Sequence, residues 1–292
     1  MKTLITGGCS FTAGNGSEWP GSASAWPSYL SHELSLRLVN TAVAGIGNRA
    51  IARRTIHAVE KELSQPKVKH SDILVGICWS SSARSEYFLR TINRNSRQQL
   101  GPRHWTKFIY EEEGDWISLN SNWLRKGAKD AEFYYKWFHD PLGGVINTLE
   151  SIMWVQNYLQ AKGINYFMTT ISPATYGYDK LDSLKDEDKK DDFTRDNGHL
   201  SWMWNSMKDQ EYAWLPVESY WDWLFDKNNE SLFAEGEFVQ KIWDDLWKWG
   251  EEKDGKWRSA QKYPGWHPSK KAHSLFTREI ILPYLKKEYT WI

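Results

Sequence analysis

Cysteine is scarce in this 292-residue chain, and neither sign of charge is in excess. With only Cys9 and Cys78 there is no framework of disulfides, so we expect a reducing compartment. Lys and Arg together number 37 and so do Asp and Glu, which leaves no global field to attract nucleic acid or an anionic membrane. The composition therefore favours neither a disulfide-rich secreted module nor a nucleic-acid-binding protein.

Long apolar runs and cofactor motifs are missing as well. No stretch approaches the ~20 apolar residues of a membrane span. The chain starts with Met-Lys and then a strand pattern, without the apolar core of a secretory signal, so we expect a cytoplasmic protein. No group of His, Cys and Asp has zinc-ligand spacing, and no Gly-rich loop with a phosphate-binding Lys occurs. We expect no metal and no cofactor.

Tryptophan, by contrast, is abundant, with 19 residues, ten of them within 200–266. Its ring supplies a large buried area and its N–H a polar handle. The abundance fits a core, an interface, or a surface on which sugars or bases stack, and we expect core packing for most of these residues. We interpret the chain as a single domain over 1–292, with insertions over 93–140 and, rich in tryptophan, over 178–262.

The hydrophobic pattern alternates between strand and helix periods. It predicts strands at 2–5, 36–41, 72–78 and 164–171, and helices at 24–34, 49–64, 141–162 and 268–288. Residues 79–86 read as a polar loop. Strands and helices that alternate at this spacing imply right-handed crossovers and a parallel sheet, and hence the α/β class.

Polar turns follow three of the predicted strands, at 7–10, 45–48 and 78–84. Such turns meet at the carboxyl edge of a parallel sheet, where ligands bind. In the first turn two glycines permit a tight bend that presents Ser10, although an inert turn serine is the alternative. Acyl transfer needs a nucleophile, a base and oxyanion donors, and Ser10, His267 and the backbone of Gly45 can supply all three.

Four short segments resemble the motif blocks of the SGNH (GDSL-like) hydrolases. Residues 8–12 (Gly-Cys-Ser-Phe-Thr) resemble the first block and residues 40–45 (Asn-Thr-Ala-Val-Ala-Gly) the second. Residues 76–79 (Gly-Ile-Cys-Trp) fall where the third block should be, and residues 267–269 (His-Pro-Ser) resemble the fifth. The form of the first block and the Trp-rich insertion look most like divergent members from bacteria and phages, so a virion is a second expected location.

The resemblance implies a three-layer α/β/α, flavodoxin-like sandwich with a mainly parallel sheet, and ester hydrolysis without a cofactor. It implies that Ser10 attacks the carbonyl of an O-acyl ester and that His267 takes the hydroxyl proton. The backbone N–H groups of Ser10 and Gly45 would hold the oxyanion. The expected substrate is a small-molecule or glycan ester, the sugar being suggested by the aromatic residues and by the range of the family.

Two positions depart from the family pattern. Cys78 stands where the third block has an Asn that donates to the oxyanion, and a thiol is a feeble donor, so Ser80 or Asn48 is the candidate replacement. Pro264 stands where the family has an Asp three residues before the histidine. Elsewhere, losing such a donor costs about 10²–10³ in rate and losing such an Asp about 10⁴. A binding or structural protein on the same fold, such as a virion component, is therefore the alternative function.

Other residues are candidates for substrate binding. Arg84 could bind a substrate carboxylate or phosphate. The alternative is a structural salt bridge, since Glu86 lies two residues away. Trp79 and Trp266 are candidate substrate contacts, whereas His273 fits an ordinary position on a helix face. A sugar-binding module built on the Trp-rich insertion is a third possible function.

Overall fold

The computed structural model describes residues 2–14, 24–90, 114–119, 129–171, 203, 213–217, 219–227, 232 and 267–289. Its strands are β1 (Thr3–Gly8), β2 (Arg37–Asn40), β3 (Ile73–Trp79), β4 (Ser85–Arg90), β5 (Gly114–Leu119) and β6 (Asn165–Thr170). Its α-helices are α1 (Ser10–Ala13), α2 (Trp26–Glu33), α3 (Asn48–Leu63), α4 (Lys129–Trp137), α5 (Pro141–Ala161), α6 (Tyr220–Asp226), α7 (Lys270–Phe276) and α8 (Leu282–Glu288). Across these described ranges, no helix has the length and apolarity to cross a membrane.

A four-stranded parallel sheet in the order β2-β1-β3-β6 forms the centre of the molecule. From β1 the chain moves outward to β2 on one side, and from β3 it moves outward to β6 on the other. The point at which the strand order reverses therefore lies between β1 and β3. Beyond β6, Trp214 makes a single parallel bridge to Met168, in the place of the fifth strand of the flavodoxin-like order. The predicted α/β class with a mainly parallel sheet is confirmed.

Side chains that alternate along β3 divide the interior into two cores. The odd-numbered ones, Ile73 to Trp79, join α3 and α5, and Leu74 and Cys78 join α2, α6, α7 and α8. A strand with helices packed on both faces has an uninterrupted run of apolar residues, and for this reason the sequence predicts β3 clearly. Gly76 leaves room for two rings, since a Cβ there would lie 2.5 Å from Cζ of Phe167 and 3.0 Å from Cη2 of Trp26.

The structure differs from the sequence-based expectations at several element boundaries. β1 continues to Gly8, into the predicted turn at 7–10, and α1 begins at Ser10. The segment 79–86 is not wholly a loop, because β4 begins at Ser85 and pairs antiparallel with β5, inside the predicted insertion. The last helix begins at Lys270 rather than at 268, since the Ser269 hydroxyl accepts a hydrogen bond from the backbone N–H of Ala272 and caps α7. A π-helical turn at Thr277–Ile281 then joins α7 to α8. The predicted Trp-rich insertion lies mostly outside the described residues.

Replacing Gly8 by Ala should destabilise the fold. An added Cβ would lie 2.1 Å from Oγ1 of Thr12 and 3.0 Å from the carbonyl oxygen of Cys78, so α1 must move away from the sheet. We expect the free energy of unfolding to fall by about 1–3 kcal/mol, the usual effect of overpacking. Urea denaturation followed by circular dichroism measures it.

Gly143→Ala is the matched control for this substitution. Its added Cβ would make ordinary contacts, the nearest being Cβ of Asp140 at 3.7 Å, and alanine favours the helix. We expect unchanged or slightly raised stability. Equal losses in the two variants would contradict the close approach of α1 to β1 and β3.

Candidate active site

Ser10 is the first residue of α1, directly beyond the carboxyl end of β1. The short helix turns back at once, as the backbone N–H groups of Thr12 and Ala13 donate to the carbonyl oxygen of Cys9 at 3.1 and 2.9 Å. Gly14, with φ of 78°, ends it. The serine is only 6% exposed, and its Oγ lies 4.0 Å from Sγ of Cys9. The turn therefore holds the Ser10 hydroxyl at the switch point of the sheet, where the strand order reverses, but leaves the side chain almost entirely buried.

His267 lies beside the residue that follows Ser10. Its ring centroid is 5.5 Å from that of Phe11, although the two residues come from opposite ends of the chain. His267 keeps some exposed surface, yet burial lowers its pKa to about 4, with a smaller contribution from the positive charge of Arg84. The imidazole is therefore neutral at neutral pH, which is the form that a general base requires.

An aromatic cluster supports this arrangement from the second core. Phe11 makes an edge contact with Tyr220, the centroids being 5.7 Å apart, and Tyr220 stacks on Phe276 at 4.0 Å. The Tyr220 hydroxyl lies 2.8 Å from Nδ1 of His273. Burial, and then the repulsion from His267 when that ring is protonated, lower the pKa of His273 to about 3. Both histidines are thus neutral at neutral pH, His267 against Phe11 and His273 bonded to Tyr220.

The pairing of Tyr220 with His273 is a feature that sequence reasoning missed. The sequence suggested an ordinary helix-face position for His273, whereas the side chain is wholly buried. No local signal could have revealed its partner, because 53 residues separate the two and only the packing of α6 against α7 brings them together.

Asn48 joins the start of α3 to the end of β3. Its Nδ2 donates to the carbonyl oxygen of Ser80 and to Oγ1 of Thr148, both at 2.9 Å. Its Oδ1 accepts from the backbone N–H of Ser80 at 2.7 Å. Both hydrogens of the amide are committed, so we do not keep Asn48 among the proposed oxyanion donors. The backbone N–H of Ser80 is likewise engaged.

Arg84 brings positive charge to this edge of the sheet. Its guanidinium donates to Oγ of Ser80 at 2.6 Å, and its charge contributes to the lowered pKa of His267. Glu86 has a different role, because its carboxylate accepts from the backbone N–H of Gly47 at the start of α3. Burial raises the pKa of Glu86 in spite of that bond and of the charges of Arg53 and Arg49.

The remaining candidates lie in different places. Cys78 is wholly buried in the second core, and burial raises the pKa of its thiol well above the ordinary value. Trp79 is wholly buried on the opposite face, where its Nε1 donates to Sδ of Met168 at 3.3 Å, so we do not keep it as a substrate contact. Gly45 lies in the turn between β2 and α3, with φ of 81°. Trp266 lies outside the described residues.

This edge of the sheet carries the Ser10 hydroxyl and the Arg84 guanidinium, and the neutral imidazole of His267 lies against Phe11, one residue from Ser10. In the described residues, Oγ of Ser10 contacts Sγ of Cys9 and makes no hydrogen bond to His267. In the part of the chain that the structure describes, no group of three or more His, Cys, Asp or Glu side chains could hold a metal ion.

Comparison with known proteins identifies a family. The chain belongs to a family of unknown function (DUF6071), whose model matches residues 15–195. The matched segment contains β2, β3 and β6, begins after Ser10 and ends before His267. No curated protein matches the chain.

Two solved structures are similar to this one. The first is the crystal structure of TesA, which is 13% identical with a TM-score of 0.44 and covers 98% of this chain and 99% of that chain. The second is an acetyl xylan esterase (Est2A) from the rumen bacterium Butyrivibrio proteoclasticus, 11% identical with a TM-score of 0.35, covering 100% of this chain and 65% of the esterase. Likeness at this level transfers no activity to the chain.

Replacing Asn48 by Ala should destabilise the protein without touching Ser10 or His267. The substitution strands the backbone N–H and carbonyl of the buried Ser80, and each such group costs about 1–3 kcal/mol. We expect the free energy of unfolding to fall by about 2 kcal/mol or more in a urea titration. Asn147→Ala, at an exposed position on α5, should have little effect. Similar stabilities for the two variants would contradict a structural role for the hydrogen bonds between Asn48 and Ser80.

Proposed function

We propose that this protein is a serine hydrolase that cleaves an O-acyl ester, with Ser10 as nucleophile and His267 as general base. One observation carries the proposal: the ring of His267 packs against Phe11, the neighbour of Ser10, with 5.5 Å between centroids. This contact lies beside the switch point between β1 and β3, where open α/β sheets bind their ligands. The neutral state of His267 also supports the proposal.

In the proposed reaction, Oγ of Ser10 attacks the ester carbonyl while His267 takes the hydroxyl proton. The carbonyl oxygen becomes an oxyanion, held by the backbone N–H groups of Ser10 and Gly45. As the tetrahedral intermediate collapses, the alcohol leaves with the proton from the imidazolium. Water, deprotonated by His267, then releases the acid from the acyl-serine by the same steps.

Arg84 has two opposing effects in this proposal. Its positive charge disfavours the imidazolium that forms during proton transfer, because like charges repel, and it contributes to the lowered pKa of His267. The same guanidinium is suited to the developing oxyanion, or to a carboxylate on the substrate, in place of the missing third-block Asn. A base with a pKa near 4 is also weak, so we expect slow hydrolysis. The proposed substrate is a small-molecule or glycan ester.

The alternative is a binding or structural protein on the same fold, and two observations favour it. Ser10 is nearly covered, and the position of the third-block Asn is taken by the buried, neutral thiol of Cys78. Chemical reactivity at Ser10 separates the two functions.

A fluorophosphonate probe should label Ser10, and the protein should hydrolyse p-nitrophenyl acetate. Ser10→Ala should abolish both, and His267→Ala should lower the rate of each by about 10²-fold or more, the usual contribution of a general base. Mass spectrometry of peptides locates the label. Ser64→Ala and His32→Ala, on the exposed surface, serve as controls. Wild-type hydrolysis equal to that of Ser10→Ala, with no labelling, would leave the binding or structural function.

The rate of ester hydrolysis should fall on the acidic side of the pH profile only at unusually low pH; this fall is the acidic limb. The base must be neutral, and His267 is neutral above a pKa of about 4. The specificity constant for p-nitrophenyl acetate should therefore stay level through the range in which an ordinary histidine, of pKa 6.5, gains its proton, and fall only as the pH drops through about 4. Arg84→Gln should move the limb to higher pH, because a positive charge that lowers the pKa is removed.

Acid unfolding must be separated from this titration. His267 and His273 both have a lowered pKa in the folded state, so the unfolded chain binds more protons below pH 6.5 and stability falls as the pH drops. Circular dichroism at each pH identifies the range in which the fold is intact. A limb near 6.5 in folded wild-type protein would contradict His267 as the base.

A further inference from the structure

A second concave site lies at the edge of the sheet, away from Ser10. It is a cavity of about 630 Å³ bounded by β2, α3 and the segment that follows α3. The volume is within the range of small-molecule sites, about 300–1,000 Å³. Among the described strands β2 has a neighbour on one side only, so α3 and the sheet edge form the walls. None of the lining residues belongs to the group of Ser10, Phe11, Arg84 and His267.

Basic side chains dominate the polar part of this cavity. Arg54, His57 and Lys61 follow one another at helical spacing on α3 and line one wall. Arg54 is held in place there, because its Nε donates to the carbonyl oxygen of Thr41 at 2.8 Å. Lys61 and His57 have exposed side chains. One wall of the cavity thus presents a row of cationic or proton-donating groups.

The acid among the described lining residues is already neutralised. Glu62 forms an ion pair with Arg37 and accepts a hydrogen bond from Oγ1 of Thr3 at 2.9 Å. The hydrogen bond from Arg37 is the main reason that the pKa of Glu62 is lowered. With that pair cancelling, Arg54 and Lys61 carry the remaining formal charges among the described lining residues, and both are cationic.

Two other charged residues of α3 pair toward α5. Arg49 lies 3.6 Å from Glu150 of α5, and Glu60 pairs with Lys162, just after α5, at 3.1 Å. Arg49 and Glu60 therefore face α5, whereas Arg54, His57 and Lys61 face the cavity.

Apolar groups line the rest of the cavity. Val39 of β2, Ala58 of α3 and Val68 beyond α3 contribute aliphatic surface, to which the stems of Arg54 and Lys61 add. Asn40 and Gln65 add amide groups. An apolar floor with a few convergent cationic groups is the usual composition of a site for an organic anion.

We propose that this cavity binds a small organic anion, with its carboxylate, phosphate or sulfonate group at Arg54 and Lys61 and its apolar body on Val39, Ala58 and Val68. The proposal is independent of the reaction at Ser10. Asn40 lines the cavity and also donates through Nδ2 to the carbonyl oxygen of Thr12 in α1 at 3.1 Å. An occupant of the cavity would therefore contact a residue bonded to the helix that carries Ser10.

The test uses 8-anilinonaphthalene-1-sulfonate, which joins a sulfonate to an apolar ring system and fluoresces when bound. We expect one saturable site on the full-length protein. Lys61→Glu reverses the charge beside the anion and should weaken binding by about tenfold or more at low salt. Lys286→Glu makes the same change at an exposed position on α8 and should leave the affinity unchanged. Added sodium chloride should weaken wild-type binding by screening.

A second variant addresses the apolar floor. Ala58→Asp places a carboxylate in the cavity and should also weaken binding, while circular dichroism verifies that the variant is folded. The proposal is overturned if wild-type protein shows no saturable binding at millimolar probe. It is overturned equally if Lys61→Glu and Lys286→Glu bind the probe with the same affinity, because the attraction would then come from general charge or from another surface.

Discussion

The parallel pairing of β1 with β3 is the constraint on which the other features depend. Six positions pair in register, from Thr3 with Ile73 to Gly8 with Cys78. Because both strands end at the same level, the turn that carries Ser10 and the segment that carries Ser80 leave the sheet side by side. Gly8 permits the approach, since no side chain separates α1 from the end of β3. The candidate active site is thus a consequence of strand register.

The side-chain hydrogen bonds of Asn48 and Glu86 at this edge of the sheet stabilise the fold. Asn48 and Glu86 satisfy backbone groups at the end of β3 and the start of α3, and buried groups of this kind are costly to leave unpaired. Burial also keeps His267 and His273 uncharged. The positive charge of Arg84 contributes to the lowering of the pKa of His267.

Much of the fold could be predicted from local patterns. The apolar run of β3 and the helical periods of α3 and α5 gave bounds within a residue or two, because these elements bury faces with a regular period. β4 and β5 were not predicted, since neither segment has a distinct period and their pairing with each other defines them. The same limit hid the contact between Tyr220 and His273, and the cavity beside Arg54, which needs β2 and α3 together.

The sequence by itself determined the α/β class, the order of the elements, and the position of Ser10 in a glycine-rich turn after the first strand. Each of these depends on residues close together in the chain. Only the tertiary structure decided which side chains are exposed, which are buried, and which are already committed to hydrogen bonds. It committed the amide of Asn48 to Ser80, buried Trp79 in the core, and brought His267 against Phe11. The reason is physical: hydrogen bonds, burial and local charge are properties of neighbours in space, and those neighbours come from distant parts of the chain.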